Sequence, residues 1–132
     1  MKIEWEKIKT LELLWKPVNT NNAYKFTRTW IMYTTKEAKD YKESVRQQAS
    51  LQYKLPPYPF QVRLDIYYYW KDNRRRDHLN ATKFLLDSLN KLVWEDDSQI
   101  IESHHYSYSG TKEPDRVVMD LYIKVKEEDV SG

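Results

Sequence analysis

The chain has 132 residues, 40% hydrophobic and 32% charged, which fits one domain with one modest core and excludes a disordered chain. The formal net charge is only +2, so affinity for a polyanion must come from local clustering, and residues 71–76 (Lys-Asp-Asn-Arg-Arg-Arg) supply it. There is no cysteine, which removes disulfides, thiolate nucleophiles and sulfur-ligated zinc together. Residues 1–6 lack the apolar run of a signal peptide, and no stretch reaches transmembrane length. The expectation is a soluble, cytoplasmic protein with no membrane partner.

In chain order, residues 8–15 alternate loosely, with Leu11, Leu13 and Trp15 on one side, and predict a first strand. Residues 16–22 are rich in Asn and Thr around Pro17 and predict a loop. Residues 28–33 are β-branched and aromatic, a second strand. Thr34 and Glu37 have capping-box spacing. Ala38, Tyr41, Val45 and Ala49 then recur at helical intervals, predicting a helix to about Tyr53. Pro56, Pro57 and Pro59 end it. Residues 60–70 place Phe60, Val62, Leu64, Ile66, Tyr68 and Trp70 in strict period two, the clearest strand of the chain. After the basic loop a second helix is predicted over 77–93, with an apolar band of Ala81, Leu85, Leu89 and Leu92 edged by Phe84 and Val93. Residues 100–108 and 116–125 predict a final hairpin around Gly110 and Pro114, and the tail from Glu127 is expected to fray. The order is β-β-α-β-α-β-β: a single α/β domain over 1–132 with a mixed sheet and two main helices.

The chain also holds 11 tyrosines and 5 tryptophans. Side chains such as Tyr67, Tyr68 and Tyr69 could stack on bases or touch phosphates, while the structural alternative is that they fill a small sheet protein's core and faces.

Chemistry concentrates in one stretch. Arg74, Arg75 and Arg76 precede Asp77, which suits the N-cap of the second helix. On that helix Asn80, Lys83 and Asp87 form one polar stripe opposite the core band, and Lys83 and Asp87 are spaced to pair. Caps and surface ion pairs explain these residues without a function, and that reading is favoured for Asp87. Asp96 and Asp97 follow the helix, at the start of the predicted strand, where adjacent side chains face opposite ways and only one should point at the helix start. Such a set suits phosphodiester hydrolysis. Carboxylates hold Mg²⁺, a lysine stabilises developing charge, and arginines neutralise the backbone beside the scissile phosphate. His104 and His105 are adjacent on a strand and so face opposite ways, which argues against a metal pair.

Arg75-Arg76-Asp77, Asn80, Lys83, residues 86–90 (Leu-Asp-Ser-Leu-Asn) and 95–100 (Glu-Asp-Asp-Ser-Gln-Ile) resemble the signature of RusA-type Holliday junction resolvases. These are small endodeoxyribonucleases common in bacteria and their prophages. Lys16-Pro17-Val18, Asn21-Asn22 and Tyr33-Thr34-Thr35 extend the resemblance. It implies a homodimer that binds four-way DNA junctions in recombination and repair and nicks two strands symmetrically with Mg²⁺. Asp77 and Asp97 are implied as metal-binding carboxylates, with Asp96 beside them, and Lys83 as the catalytic lysine. Arg74, Arg75, Arg76 and Asn80 are the candidate DNA contacts. One position departs from the pattern. The family carries a second acid two residues after the first, and this chain has Leu79 there. Asp65, Asp72, Glu95 or Asp96 are candidates to compensate. The alternatives are a junction-binding dimer that cleaves slowly or not at all, and a nuclease for flaps, forks or RNA.

Overall fold

A computed structural model describes residues 2–14, 24–26, 32–34, 36–71 and 78–128. Its centre is a four-stranded mixed sheet of β1 (Lys2–Leu14), β4 (Val62–Tyr69), β5 (Ile100–Tyr108) and β6 (Arg116–Glu128) in the order β1-β6-β4-β5. A short antiparallel pair, β2 (Tyr24–Phe26) and β3 (Met32–Thr34), stands apart from it, and the helices are α1 (Lys36–Gln52) and α2 (His78–Ser88). Among the described residues no helix is long and apolar enough to cross a membrane.

Period two on β4 sorts the two faces of the sheet. Val62, Leu64, Ile66 and Tyr68 turn to the helix side with Leu11, Leu13, Val117, Met119 and Leu121, and all are buried. Ala38, Tyr41, Val45 and Ala49 of α1 close on them, together with Phe84, Leu85 and Leu89 of α2. This is the apolar stripe that the helical spacing predicts. The opposite face is open. There Tyr67 stacks on Tyr106 at 5.0 Å and Tyr69 on Tyr108 at 5.2 Å, while the Arg116 guanidinium lies 4.2 Å from the Tyr69 ring centre. The three consecutive tyrosines therefore divide, with Tyr68 in the core and its neighbours on the open face.

Several elements differ from expectation. β1 begins at Lys2, six residues before the predicted strand, because its long antiparallel ladder with β6 carries the charged residues that alternation alone discounts. Thr34 ends β3 and α1 starts at Lys36, and the side chains of Thr34 and Glu37 lie outside the description. The predicted second strand overlaps β3 at residues 32–33, and its residues 28–31 lie outside the described ones. Phe60 stands outside β4 and is exposed, its ring set edge-on against Tyr58 in the proline-rich connection.

Helix α2 stops at Ser88 rather than Val93, although Leu89 and Val93 still reach the core. Lys91 takes a left-handed φ of 64° there, and its amide donates to the Trp94 carbonyl at 2.6 Å, folding the chain back. The apolar spacing continues through this turn, so periodicity could not see the end.

The expected final hairpin is not formed. β5 and β6 lie on opposite sides of β4, β5 parallel to it and β6 antiparallel. A helical crossover from β4 through α2 returns the chain in the same direction, which obliges a parallel pairing. The next segment then takes the other edge of β4. Residues 109–115 cross its end, where the Thr111 amide donates to the Trp70 carbonyl (3.0 Å) and the Lys71 amide to Asp115 (2.8 Å).

Candidate active site

The conspicuous acidic pair after α2 belongs to a short turn and not to the start of a strand. Residues Asp97–Gln99 form one turn of 3-10 helix capped by Asp96, whose carboxylate accepts from the Ser98 amide at 2.9 Å. The Gln99 carboxamide oxygen accepts from the Asp96 amide at 2.8 Å and completes a capping box. Its nitrogen donates to the Tyr58 and Phe60 carbonyls at 2.7 and 2.8 Å, tying the turn to the proline-rich connection. The spacing Asp96-x-x-Gln99 is a capping-box signal that the sequence reading did not use.

Asp96 and Asp97 are thereby given different environments. Asp96 is exposed, and its bonds to Ser98 hold its carboxyl below the ordinary value. Asp97 is half-buried and its carboxyl is held above the ordinary value. Burial is the main cause, followed by the neighbouring charges of Asp96 and Asp87, with Lys83 partly offsetting them. Asp97, Asp87 and Lys83 therefore share one neighbourhood.

Asn90 holds Asp87 in place. Its amide nitrogen donates to the Asp87 carboxylate at 3.3 Å, and its oxygen accepts from the indole N–H of the buried Trp94 at 2.9 Å. Among the described residues Lys83 and Asp87 do not close the ion pair that their spacing allows; Lys83 is exposed and keeps its charge available. From the other helix, the Arg46 guanidinium donates to the Ser88 and Asn90 carbonyls at 3.0 and 2.9 Å, satisfying orphan acceptors at the end of α2.

The neighbourhood runs from the middle of α2, at Lys83, to its last turn, at Asp87. His78 and Asp87 are nine residues apart, roughly 13 Å along a helix axis. The Tyr68 hydroxyl meets that of Thr82 in the first half of α2, and Ile100, just after the 3-10 turn, pairs with Val62 at the start of β4.

The other candidates resolve as follows. Arg74, Arg75, Arg76 and Asp77 lie outside the described residues, as does Asp72; Leu79 and Asn80 are helical, with side chains outside the description. Asp65 is buried on the open sheet face, held by Arg63 through two bonds of 2.9 and 3.1 Å, with the sheet between it and α2. It cannot stand in for the acid missing at Leu79 in its own subunit. His104 contacts Glu102 on the open face and His105 contacts Ser103 on the other, so the two imidazoles face apart as expected. Among the described residues no three His, Asp or Glu side chains are grouped so as to hold a metal ion. Asp97 and Asp87 nonetheless offer two neighbouring carboxylates. One or two carboxylates, with waters and substrate phosphate, suffice for Mg²⁺.

The family profile described as Endodeoxyribonuclease RusA matches residues 15–122, most of the chain and all of this neighbourhood. No curated protein matches the chain.

Proposed function

The chain belongs to the RusA endodeoxyribonuclease family, and from that premise we propose a Mg²⁺-dependent enzyme that resolves four-way DNA junctions by paired nicks in recombination and repair. The observation that supports this best is the grouping of half-buried Asp97 with Asp87 beside an exposed lysine, Lys83. Asp97 and Asp87 would hold the cation, and Asp96 sets the backbone on which Asp97 is presented. Bound there, Mg²⁺ would polarise the phosphoryl oxygen and lower the pKa of an attacking water. Lys83 places an ammonium where charge grows on the phosphate. Asn90 keeps the Asp87 carboxylate turned to the site, and the Gln99 anchor keeps Asp97 from swinging out. Arg74, Arg75, Arg76 and Asn80 are assigned to the DNA backbone near the scissile phosphate.

Asp77 completes the carboxylate set in this reading, shared across a dimer. In sequence Asp77 immediately precedes His78, the first residue of α2, while Asp87, whose charge acts on Asp97, is on the last turn. The reading takes the two acids of one cation site from two subunits. A homodimer with isologous contacts then builds two such sites related by a twofold axis, which matches two symmetric nicks.

Labelled synthetic four-way junctions, incubated with and without Mg²⁺ beside duplex and flap controls, test the proposal. Paired nicks confined to junctions and dependent on Mg²⁺ are expected. Binding without nicking at any Mg²⁺ concentration, or preferential cutting of flaps, would overturn it.

A further inference from the structure

Beside the acidic pair, the solvent side of the helix layer carries a basic flank. Lys39, Lys42 and Arg46 recur at intervals of three and four on α1 and so share one side of it, while Asp40 falls about 100° further round. Lys39, Lys42, Arg46 and Ser50 form one wall of a shallow groove whose other side is Leu92, from the turn after α2, with exposed Lys91 next to it. Glu43 at the rim accepts from Gln47 at 3.4 Å. Lys39 and Lys42 are exposed and make no ion pair with an acid among the described residues. Arg46 is fixed by the Ser88 and Asn90 carbonyls, which places the flank against the last turn of α2, the turn that bears Asp87. Packed helices lie about 8–10 Å axis to axis, so the cations run alongside the acids on one surface.

A row of three cations, with Glu43 as the one acid lining the same groove, suits a ligand carrying many regularly spaced negative charges, one of which is brought to the acids. Duplex DNA, with one charge per about 1.7 Å of axis, has that form. We propose that the Lys39–Lys42–Arg46 flank is a second phosphate track, along which the backbone of a duplex arm of the substrate crosses the helix layer beside Asp87 and Asp97. The proposal rests on the nuclease reading above and adds to it a contact surface separate from the arginine run.

The test measures binding of a four-way junction and of a linear duplex across a salt series, for the wild type and for Lys39→Gln with Lys42→Gln. Each phosphate contact contributes about −0.9 to the slope of log affinity against log salt, so the double variant should flatten the slope by about 1.8 and lose on the order of tenfold in affinity. Lys39→Arg with Lys42→Arg should restore the slope. A slope unchanged in the glutamine variant, with or without weaker binding, overturns the track, and so does a wild type that binds neither DNA. A flattened slope on the linear duplex from a protein that neither prefers nor cuts junctions upholds the track while refuting the junction reading.

Discussion

Asp87, on the last turn of α2, and Asp97, opening the 3-10 turn, stand close enough that the charge of one raises the proton affinity of the other. Burial and Asp96 contribute more to that shift than Asp87 does, but Asp87 is the acid that approaches from a separate element. A rigid turn, pinned by Gln99, is thus held against a helix end pinned by Arg46 and Asn90.

Asp97→Asn should abolish nicking while leaving junction affinity equal or higher, because an unneutralised carboxylate repels phosphate. Stability gives a second readout. The carboxyl of Asp97 is raised above its ordinary 3.8, so in that window the folded state holds more protons than the unfolded one, and stability falls as pH rises through it. The asparagine variant escapes this loss. Its melting temperature should exceed that of the wild type at neutral pH, by a few degrees at most, and the advantage should vanish in acid below the ordinary carboxylate range. Saturating Mg²⁺ should raise the wild-type melting temperature and narrow the gap at neutral pH. A variant that melts below wild type throughout the pH range would remove Asp97 from the strained pair.

Mixed dimers test the shared site. A subunit bearing Asp77→Asn and one bearing Asp97→Asn are each expected to be inactive as homodimers. If each cation is held by Asp77 of one subunit and Asp97 of the other, the mixed dimer has one site with both changes and one with neither. It should nick one strand of the junction and fail to resolve it. Complete inactivity of purified mixed dimers would show that each subunit builds its site alone.

Leu79→Asp probes the departure from the family pattern. With the acid absent at 79, Asp87 is, among the described residues, the carboxylate that reaches Asp97 from a separate element, since Asp65 is held by Arg63 behind the sheet. An added acid near the start of α2 is compatible with the helix dipole and should lower the Mg²⁺ concentration needed for half-maximal cleavage. A Mg²⁺ titration of rate, with melts of both proteins, reads the result. A stable variant whose requirement is unchanged would mean that Asp87 already fills the place. Asp87→Asn should then cost far more activity in the natural background than in Leu79→Asp.

On the outer edge of the sheet, α1 protects β1 through two glutamines one turn apart. Gln52 accepts from the Glu12 amide and donates to the Glu12 carbonyl at 2.8 and 2.7 Å, and Gln48 does the same at Leu14 at 2.8 and 3.1 Å. Each carboxamide occupies the ladder positions of a neighbouring strand. Gln48→Ala with Gln52→Ala should cost about 1–3 kcal/mol, at about 1 kcal/mol for a typical bond with water able to replace part of the loss. It should also promote association through the bared edge, measured by denaturant unfolding and by light scattering at increasing concentration.

The alternation from Val62 to Trp70 and the helical recurrence from Ala38 to Ala49 determined, without any structure, which side chains are buried, because each repeat is the geometric period of its own element. The residue types around Asp77, Lys83 and Asp97 carried the resemblance to the endodeoxyribonuclease family whose profile the chain matches. Pairing was not legible. Residues 100–108 and 116–128 look like a hairpin by pattern, yet β4 lies between them, because a strand's period fixes its faces and leaves its partners open. Nor could spacing show which acids meet. Asp87 and Asp97 are ten residues apart and belong together only because Lys91 reverses the chain after α2 and Gln99 fastens the following turn. Asp65 has the right chemistry and is on the wrong side of the sheet. Composition and period are properties of a segment, whereas a site is a convergence of segments, and only the tertiary structure decides that.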